Sequence, residues 1–372
     1  VSARSVTLII ALLCAWRPAA ARAEAPARAS DLTLDAELIA GLASTQSTSG
    51  DWSEFEARRL EVGGRWSGAG EAWGAELRLE GARSSGPESL NGIDGNSMVV
   101  RVKRGWAFGR LAPHAALRFE ARAGLVPDLW VEAVEADYDL RALAPTTGED
   151  VRFLSAADAG ASVLASAFSG RVRVGFSLTN GEGYRQTELN SGKTTAIVGS
   201  IDALRFSFAG SGARLSAHFG WIEGSTGVAR MPSGRLLSGL TFGAHRLGAG
   251  AEYLRADGAF GRALHADALG LYARGVVVPR WVGLALRFDR LNQDLGAADA
   301  VRERWSAGYF AEPFGGAERR AERLRIWLAA QVERAGDAGG PVPGAGRLGD
   351  LTRALVLLDF STQTRMQAEE KP

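Results

Sequence analysis

The sequence predicts an all-β fold, a transmembrane antiparallel β-barrel of about 16 strands whose long third external loop folds into the lumen. Three observations carry that expectation. Stretches of about ten residues alternate strictly between apolar and polar side chains. The connections between them alternate long and short, as tight turns on one side of a membrane and larger loops on the other would require. Beyond the N-terminus, no apolar run is long enough for a membrane-spanning helix.

Arg4 precedes an apolar core, Val6–Trp16, too short to span a bilayer as a helix, and Ala21-Arg22-Ala23 offers a small-x-small cleavage pattern. Residues 1–23 are therefore expected to be a signal peptide cleaved after Ala23, and 24–372 a single barrel domain. Cys14 is the only cysteine and lies in that segment, where Ala11-Leu12-Leu13 lacks the small residue of a lipoprotein site. The mature chain then has no disulfide, thiolate metal site or cysteine nucleophile. The formal charge is +1, and Lys occurs only at 103, 193 and 371, so the bases are almost all Arg. No nucleic-acid partner is expected.

Strands are predicted near 32–43, 55–66, 72–82, 98–110, 115–124, 160–168, 171–179, 194–208, 213–223, 236–246, 248–256, 265–276, 280–290, 302–311, 322–333 and 350–360. In 171–179, Val172, Val174, Phe176 and Leu178 oppose Arg171, Arg173, Ser177 and Thr179. Two segments fit less well. Residues 319–334 are rich enough in Arg, Leu, Ala and Glu to make a helix, and a polar tail, 361–372, follows the aromatic Phe360 that should end the last strand.

Facing lipid with Arg or Lys costs about 2–4 kcal/mol at the midplane, so the apolar faces point outward and the charged ones line the lumen. Inward then go the bases Arg59, Arg101, Lys103, Arg118, Arg122, Arg171, Arg173, Arg205, Arg214, Arg274 and Arg287, with Arg65, Arg78, Arg304, Arg323, Arg325 and Arg353. Inward acids are fewer, by roughly one to two, which favours anions. Arg58, Arg255 and Arg290 fall on the outward parity, close enough to strand ends to snorkel. Trp66, Trp73, Trp106, Trp221, Trp281, Trp305 and Tyr309 are assigned to interfacial girdles.

The connection 125–160 is the longest and is acidic. Asp128, Glu132, Glu135, Asp137 and Asp139 are expected to form a constriction, laid across the Arg-dense neighbouring strands with acids on one side of the aperture and bases on the other. RAGLVPDLWVEAVEADYD, then DAGASV and TNGEGYRQTELNSGK, resemble the Gram-negative porins of the phosphate-selective O/P type. That resemblance implies a sixteen-stranded barrel, a homotrimer and an infolded third loop. Phosphate-selective members carry bases in this loop, whereas here it is acidic, so phosphate selectivity is not carried over.

The four histidines, 114, 218, 245 and 265, lack metal-ligand spacing, and no phosphate cradle or nucleophile–base constellation is visible. No metal, cofactor or enzymatic activity is expected. The reading is a passive outer-membrane channel with weak anion preference, in contact with membrane lipid, lipopolysaccharide and small hydrophilic solutes. The alternative is a plugged structural or docking barrel without steady conductance.

Overall fold

The computed structural model describes residues 30–47, 50–84, 97–185, 191–208, 211–226, 230–244, 246–258, 263–278, 282–297, 300–312, 322–335 and 350–367. The predicted signal peptide, His245 and Trp281 lie outside them. The first strands are β1 (Asp31–Ser47), β2 (Gly50–Ser67), β3 (Trp73–Ser84) and β4 (Ser97–His114). Next come β5 (Leu117–Pro127), β6 (Ala157–Ala167), β7 (Val172–Thr179) and β8 (Thr194–Phe208). They continue with β9 (Ser211–Thr226), β10 (Met231–Ala244), β11 (Leu247–Asp257) and β12 (His265–Val278). The last are β13 (Val282–Asn292), β14 (Val301–Ala311), β15 (Glu322–Ala335) and β16 (Leu351–Gln367).

Each strand pairs antiparallel with its sequence neighbours, and β16 pairs with β1 to close the barrel. Closure gives the backbone polar groups of the strands partners without help from water, the condition for crossing a bilayer. The alternation sorts the side chains as expected. Leu34, Leu38 and Leu42 of β1, Val174 and Phe176 of β7 and Leu284 and Leu286 of β13 are exposed on the outside. Lys103, Arg122, Glu252, Arg287 and Asp289 are buried inside.

Residues 322–335 are strand, not helix. Ile326, Leu328 and Val332 face outward while Trp327 and Gln331 are buried inward, and β14 and β16 hold both edges. Period-2 burial overrides the intrinsic preference of Arg, Leu and Ala. Nor does the last strand stop at Phe360: β16 runs on to pair Gln367 with Asp31 because β1 starts early enough to receive it.

Bulges correct the face assignment at two places. The β1–β2 register shifts after Ile39, which turns Arg58 inward, where its guanidinium donates to the Ala142 and Leu143 carbonyls at 2.8 and 2.9 Å. The β3–β4 register shifts between Arg78 and Leu79, so that Lys103 and Arg104 both reach the interior and the parity beyond them flips. Trp106 is consequently buried on the lumen wall under Arg122, whose guanidinium lies 4.6 Å from the ring, and is not part of a girdle. A one-residue slip moves every later side chain to the other face. Trp73, Trp221, Trp305 and Tyr309 do lie exposed on the outside.

The core of the molecule lies within the barrel. Between β5 and β6 the chain forms helix α1 (Leu129–Glu135) and the short turn α2 (Thr147–Asp150). Leu129, Trp130, Val134, Val151 and Phe153 pack with wall residues Val198, Ile222, Leu237 and Leu254. Tyr138, Leu140, Ala142 and Leu143 pack with Ile39, Tyr272, Phe310, Trp327 and Leu357. The third loop therefore folds into the lumen and meets opposite parts of the wall.

The face assignment is tested by placing a cation on each side. Leu286→Arg, mid-strand and 61% exposed, should lower the folding free energy in bilayers by about 2–4 kcal/mol. Ser361→Arg, half-buried on the lumen face of β16 opposite Glu37, should change it by much less. Urea titration of vesicle-inserted protein measures both, and equal losses would refute the assignment.

Candidate functional site

The loop is fastened from its first residue. Asp128 caps α1, its carboxylate accepting the Trp130 and Val131 N–H groups at 2.9 Å, which satisfies donors that a helix start leaves open. The apolar side of α1 then meets the wall at glycines. A Cβ on Gly175 would come within 3.0 Å of Leu129, and Cβ atoms on Gly220 and Gly239 would come within 3.0 and 3.3 Å of the Trp130 ring. Gly243 leaves room for Asp137, and Gly270 for Thr147. These wall positions are sockets for the loop's side chains. The Trp130 Nε1–H and the Thr147 N–H both donate to the buried Glu252, at 3.1 and 3.2 Å, so one wall carboxylate ties both helical pieces.

The middle of the loop is held by its carbonyls. Arg58 takes those of Ala142 and Leu143, Gln331 also takes that of Leu143 at 3.0 Å, and Arg287 takes that of Pro145. The Tyr138 hydroxyl donates to the Ala144 carbonyl at 2.7 Å.

The loop's acids fan out around the barrel. Glu132 meets Arg122 of β5 through two bonds of 2.6 and 3.0 Å. Glu135 meets Arg104 of β4 at 3.4 Å, Arg59 of β2 at 3.9 Å and the loop's own Arg141. Asp137 accepts from Arg214 of β9 and Thr241 of β10, each at 2.9 Å. Asp139 faces Arg325, Arg323 and Arg274 at 2.8, 2.9 and 3.5 Å. Asp150 is paired with Arg304 of β14. The expected separation of acids on one side from bases on the other is thus not the arrangement found: the carboxylates are bonded directly to the wall's guanidiniums. The reason is desolvation. A carboxylate taken from water costs several kcal/mol unless it is met by an opposite charge.

Two kinds of titration follow. Burial alone would raise Glu135 and Asp139, but Arg141, Arg104 and Arg59 around the first, and Arg325, Arg323 and Arg274 around the second, hold both well below the usual carboxylate range. Asp128 has backbone donors and no guanidinium, and burial pushes its carboxyl up to about 6.

Most of the predicted wall bases are engaged. Arg59 and Lys103 share Glu61, and Arg101 binds Glu80 at 2.6 Å. Arg287 binds Asp289 at 2.7 Å, while Arg173 and Arg205 share Asp202. Arg118 has no ion-pair partner among the described residues. Nor has Arg171, which lies exposed in the turn between β6 and β7 and not on the strand.

Sequence reasoning missed Arg104 as a partner of the loop, and it read the Asn-Gly-Glu-Gly-Tyr segment as family likeness. That segment is a clasp. The Tyr184 N–H donates to the Ala157 carbonyl of β6 at 2.9 Å, and its hydroxyl donates to Glu80 of β3 at 2.8 Å. A buried relay was also invisible. The Thr241 hydroxyl gives its proton to Asp137, so it accepts from His218 Nε2 at 3.0 Å, and His218 Nδ1 accepts from Ser200 at 2.9 Å. Ser200 and His218 are both buried in the wall, and the relay ties Asp137 to it.

No protein-family model matches the sequence, and no curated protein does. Solved structures do. An anion-selective porin from Comamonas acidovorans aligns with a TM-score of 0.58 at 16% identity, covering 90% of this chain and 100% of that one. OmpF of Salmonella typhi, solved in complex with daunomycin, gives 0.58 at 14% identity, covering 90% and 97%. The outer membrane channel DcaP of Acinetobacter baumannii gives 0.55 at 9% identity, covering 91% and 99%. The chain has the fold of the Gram-negative outer-membrane porins.

Two outcomes test the docked loop. Gly220→Val drives a branched side chain into the Trp130 ring and should cost about 1–3 kcal/mol of docking, opening the loop to trypsin at Arg141. Wild-type barrel should resist that cut, and equal resistance of the variant would refute the socket.

The second is pH. A carboxyl raised in the folded state is destabilising once ionised, so Asp128 should erode stability as pH climbs from about 4 through about 6. Glu135 and Asp139 act in the opposite sense, stabilising above their unfolded values near 4 and failing only in stronger acid. Melting temperatures of wild type and Asp128→Asn measured from pH 4 to 7 should diverge in favour of Asn as pH rises. Parallel curves would refute this.

Proposed function

We propose that this chain forms a water-filled channel for passive diffusion of small hydrophilic solutes across the outer membrane of a Gram-negative bacterium, with weak anion preference. The observation that carries the reading is the loop itself, docked on the wall yet leaving cavities of about 680 and 670 Å³ on the side of the short turns. The first is lined by Arg205, Arg214 and Arg274, the second by Arg110, Arg118 and Arg173.

The anion preference rests on what pairing leaves over. Loop and wall carboxylates neutralise most of the basic face, while Arg118 and Arg171 keep their charge, and Arg173 and Arg205 have one acid between them. Selectivity follows such residual charge at a pore wall. Arg118, Arg173 and Arg205, with Arg214 and Arg274 at the first cavity, are the bases assigned to solute contact. Glu132, 36% exposed beside Arg122, is the loop acid assigned to the aperture.

The same reading includes export with cleavage after Ala23, contact of the outer face with lipid and lipopolysaccharide, and a homotrimer. No enzymatic step is part of it. Kinship with the phosphate-selective O/P type rests on the loop motifs, and phosphate selectivity is not proposed.

Reversal potentials in a KCl gradient test the function. Wild type should favour chloride by roughly twofold, and Arg118→Glu with Arg171→Glu should carry the preference to potassium. A cation-selective wild type would refute the anion preference, and absence of steady conductance would refute the channel.

A further inference from the structure

The larger wall bases were placed by their acids, but one group was not. The register sets Arg118 of β5 opposite Ser166 of β6, and Ser166 opposite Arg173 of β7. With strands 4.7–4.9 Å apart, the two arginine backbones stand about 10 Å apart with a hydroxyl between them. All three line the cavity of about 670 Å³, a size within the range of small-molecule pockets. Arg118 has no ion pair among the described residues. Arg173 reaches Asp202 only at 3.6 Å, an acid already bonded to Arg205, and its Nε is buried without a hydrogen-bond partner.

The neighbouring positions of the cavity decide what fits. Arg122 is already satisfied by Glu120 and Glu132. Glu120 lies two residues along β5 from Arg118, on the same face, and is bonded to both Arg110 and Arg122, so a second negative charge on the solute would find those guanidiniums already taken. Leu164 is in the next row of the wall, opposite Glu120, and its side chain packs toward the apolar cluster under the loop. The site therefore has room for one anionic group between two guanidiniums and an apolar surface beside it.

We infer that Arg118, Ser166 and Arg173 form a binding subsite for small organic monocarboxylates, the carboxylate bridged by the two guanidiniums and the hydroxyl, the hydrocarbon body lying along Leu164. Guanidinium forks match carboxylate geometry and bind it through charge-assisted hydrogen bonds. The subsite deepens the channel reading and rests on it for its role in transport, but its occupancy does not depend on conductance.

The test is equilibrium binding to the full barrel in micelles, followed by the ¹⁹F signal of 4,4,4-trifluorobutanoate, with the neutral 4,4,4-trifluorobutanamide and inorganic phosphate as comparators. Saturable binding is expected for the butanoate and not for the amide. It should weaken at least tenfold in Arg118→Gln/Arg173→Gln and by a smaller factor in Ser166→Ala, a variant that leaves every charge in place. Unsaturable broadening with wild type, or unchanged affinity in the double variant, would overturn the subsite. Displacement by phosphate as effective as by butanoate would overturn the organic-monocarboxylate assignment. A barrel that binds butanoate yet carries no current in bilayers would refute the channel and leave the subsite standing.

Discussion

The carboxylates that the third loop carries beyond its capping Asp128 are met inside the barrel by bases, and the rest of the interior is arranged around those pairs. Glu132, Glu135, Asp137, Asp139 and Asp150 find partners on β2, β4, β5, β9, β12, β14 and β15. Removing one partner would leave a buried charge uncompensated, a far larger penalty than the pair's own net worth. The pairs therefore fix where the loop lies more than they add stability. Arginine suits them, because its planar fork of donors matches a carboxylate.

Charge alone would not hold the loop at one depth, because long guanidinium side chains can follow a shifting partner. The glycine sockets do. Trp130 sits against Gly220 and Gly239, and Leu129 against Gly175, so closely that a Cβ would be crowded at 3.0–3.3 Å. Glu252 then receives the indole N–H and the Thr147 N–H, which couples α1 to α2 through the wall. Glycine in a strand weakens the strand by removing a packing side chain. Here that loss is offset by the loop, which supplies the missing side chain from the lumen.

Much of this was legible in the chain, for a definite reason. Strand existence, strand count and the infolded loop are set by local period and by connection length, both visible along the sequence. Side-chain facing is also local until a bulge intervenes, and bulges are what displaced Arg58 and Trp106 from their expected sides. The relay from Ser200 through His218 and Thr241 to Asp137 was not legible at all. It depends on the cross-strand register of β8, β9 and β10 and on the depth to which the loop enters. Nothing in the spacing of those four residues announces it.

Pairing also changes the charge that the wall presents to the lumen. A census of inward bases overstates the field felt by a solute, since a guanidinium bonded to a buried carboxylate presents a dipole and not a free charge. Arg287, buried against Asp289, and Lys103, buried against Glu61, are bases of this kind. They shape the lumen but offer an anion little. The field that remains comes from residues whose partners are distant or shared, and these lie on β5, β7 and β8 near the short turns. Fixed pairs lower the wall's net charge while keeping it polar, so the residual charge rests on a few residues while the loop's position rests on many.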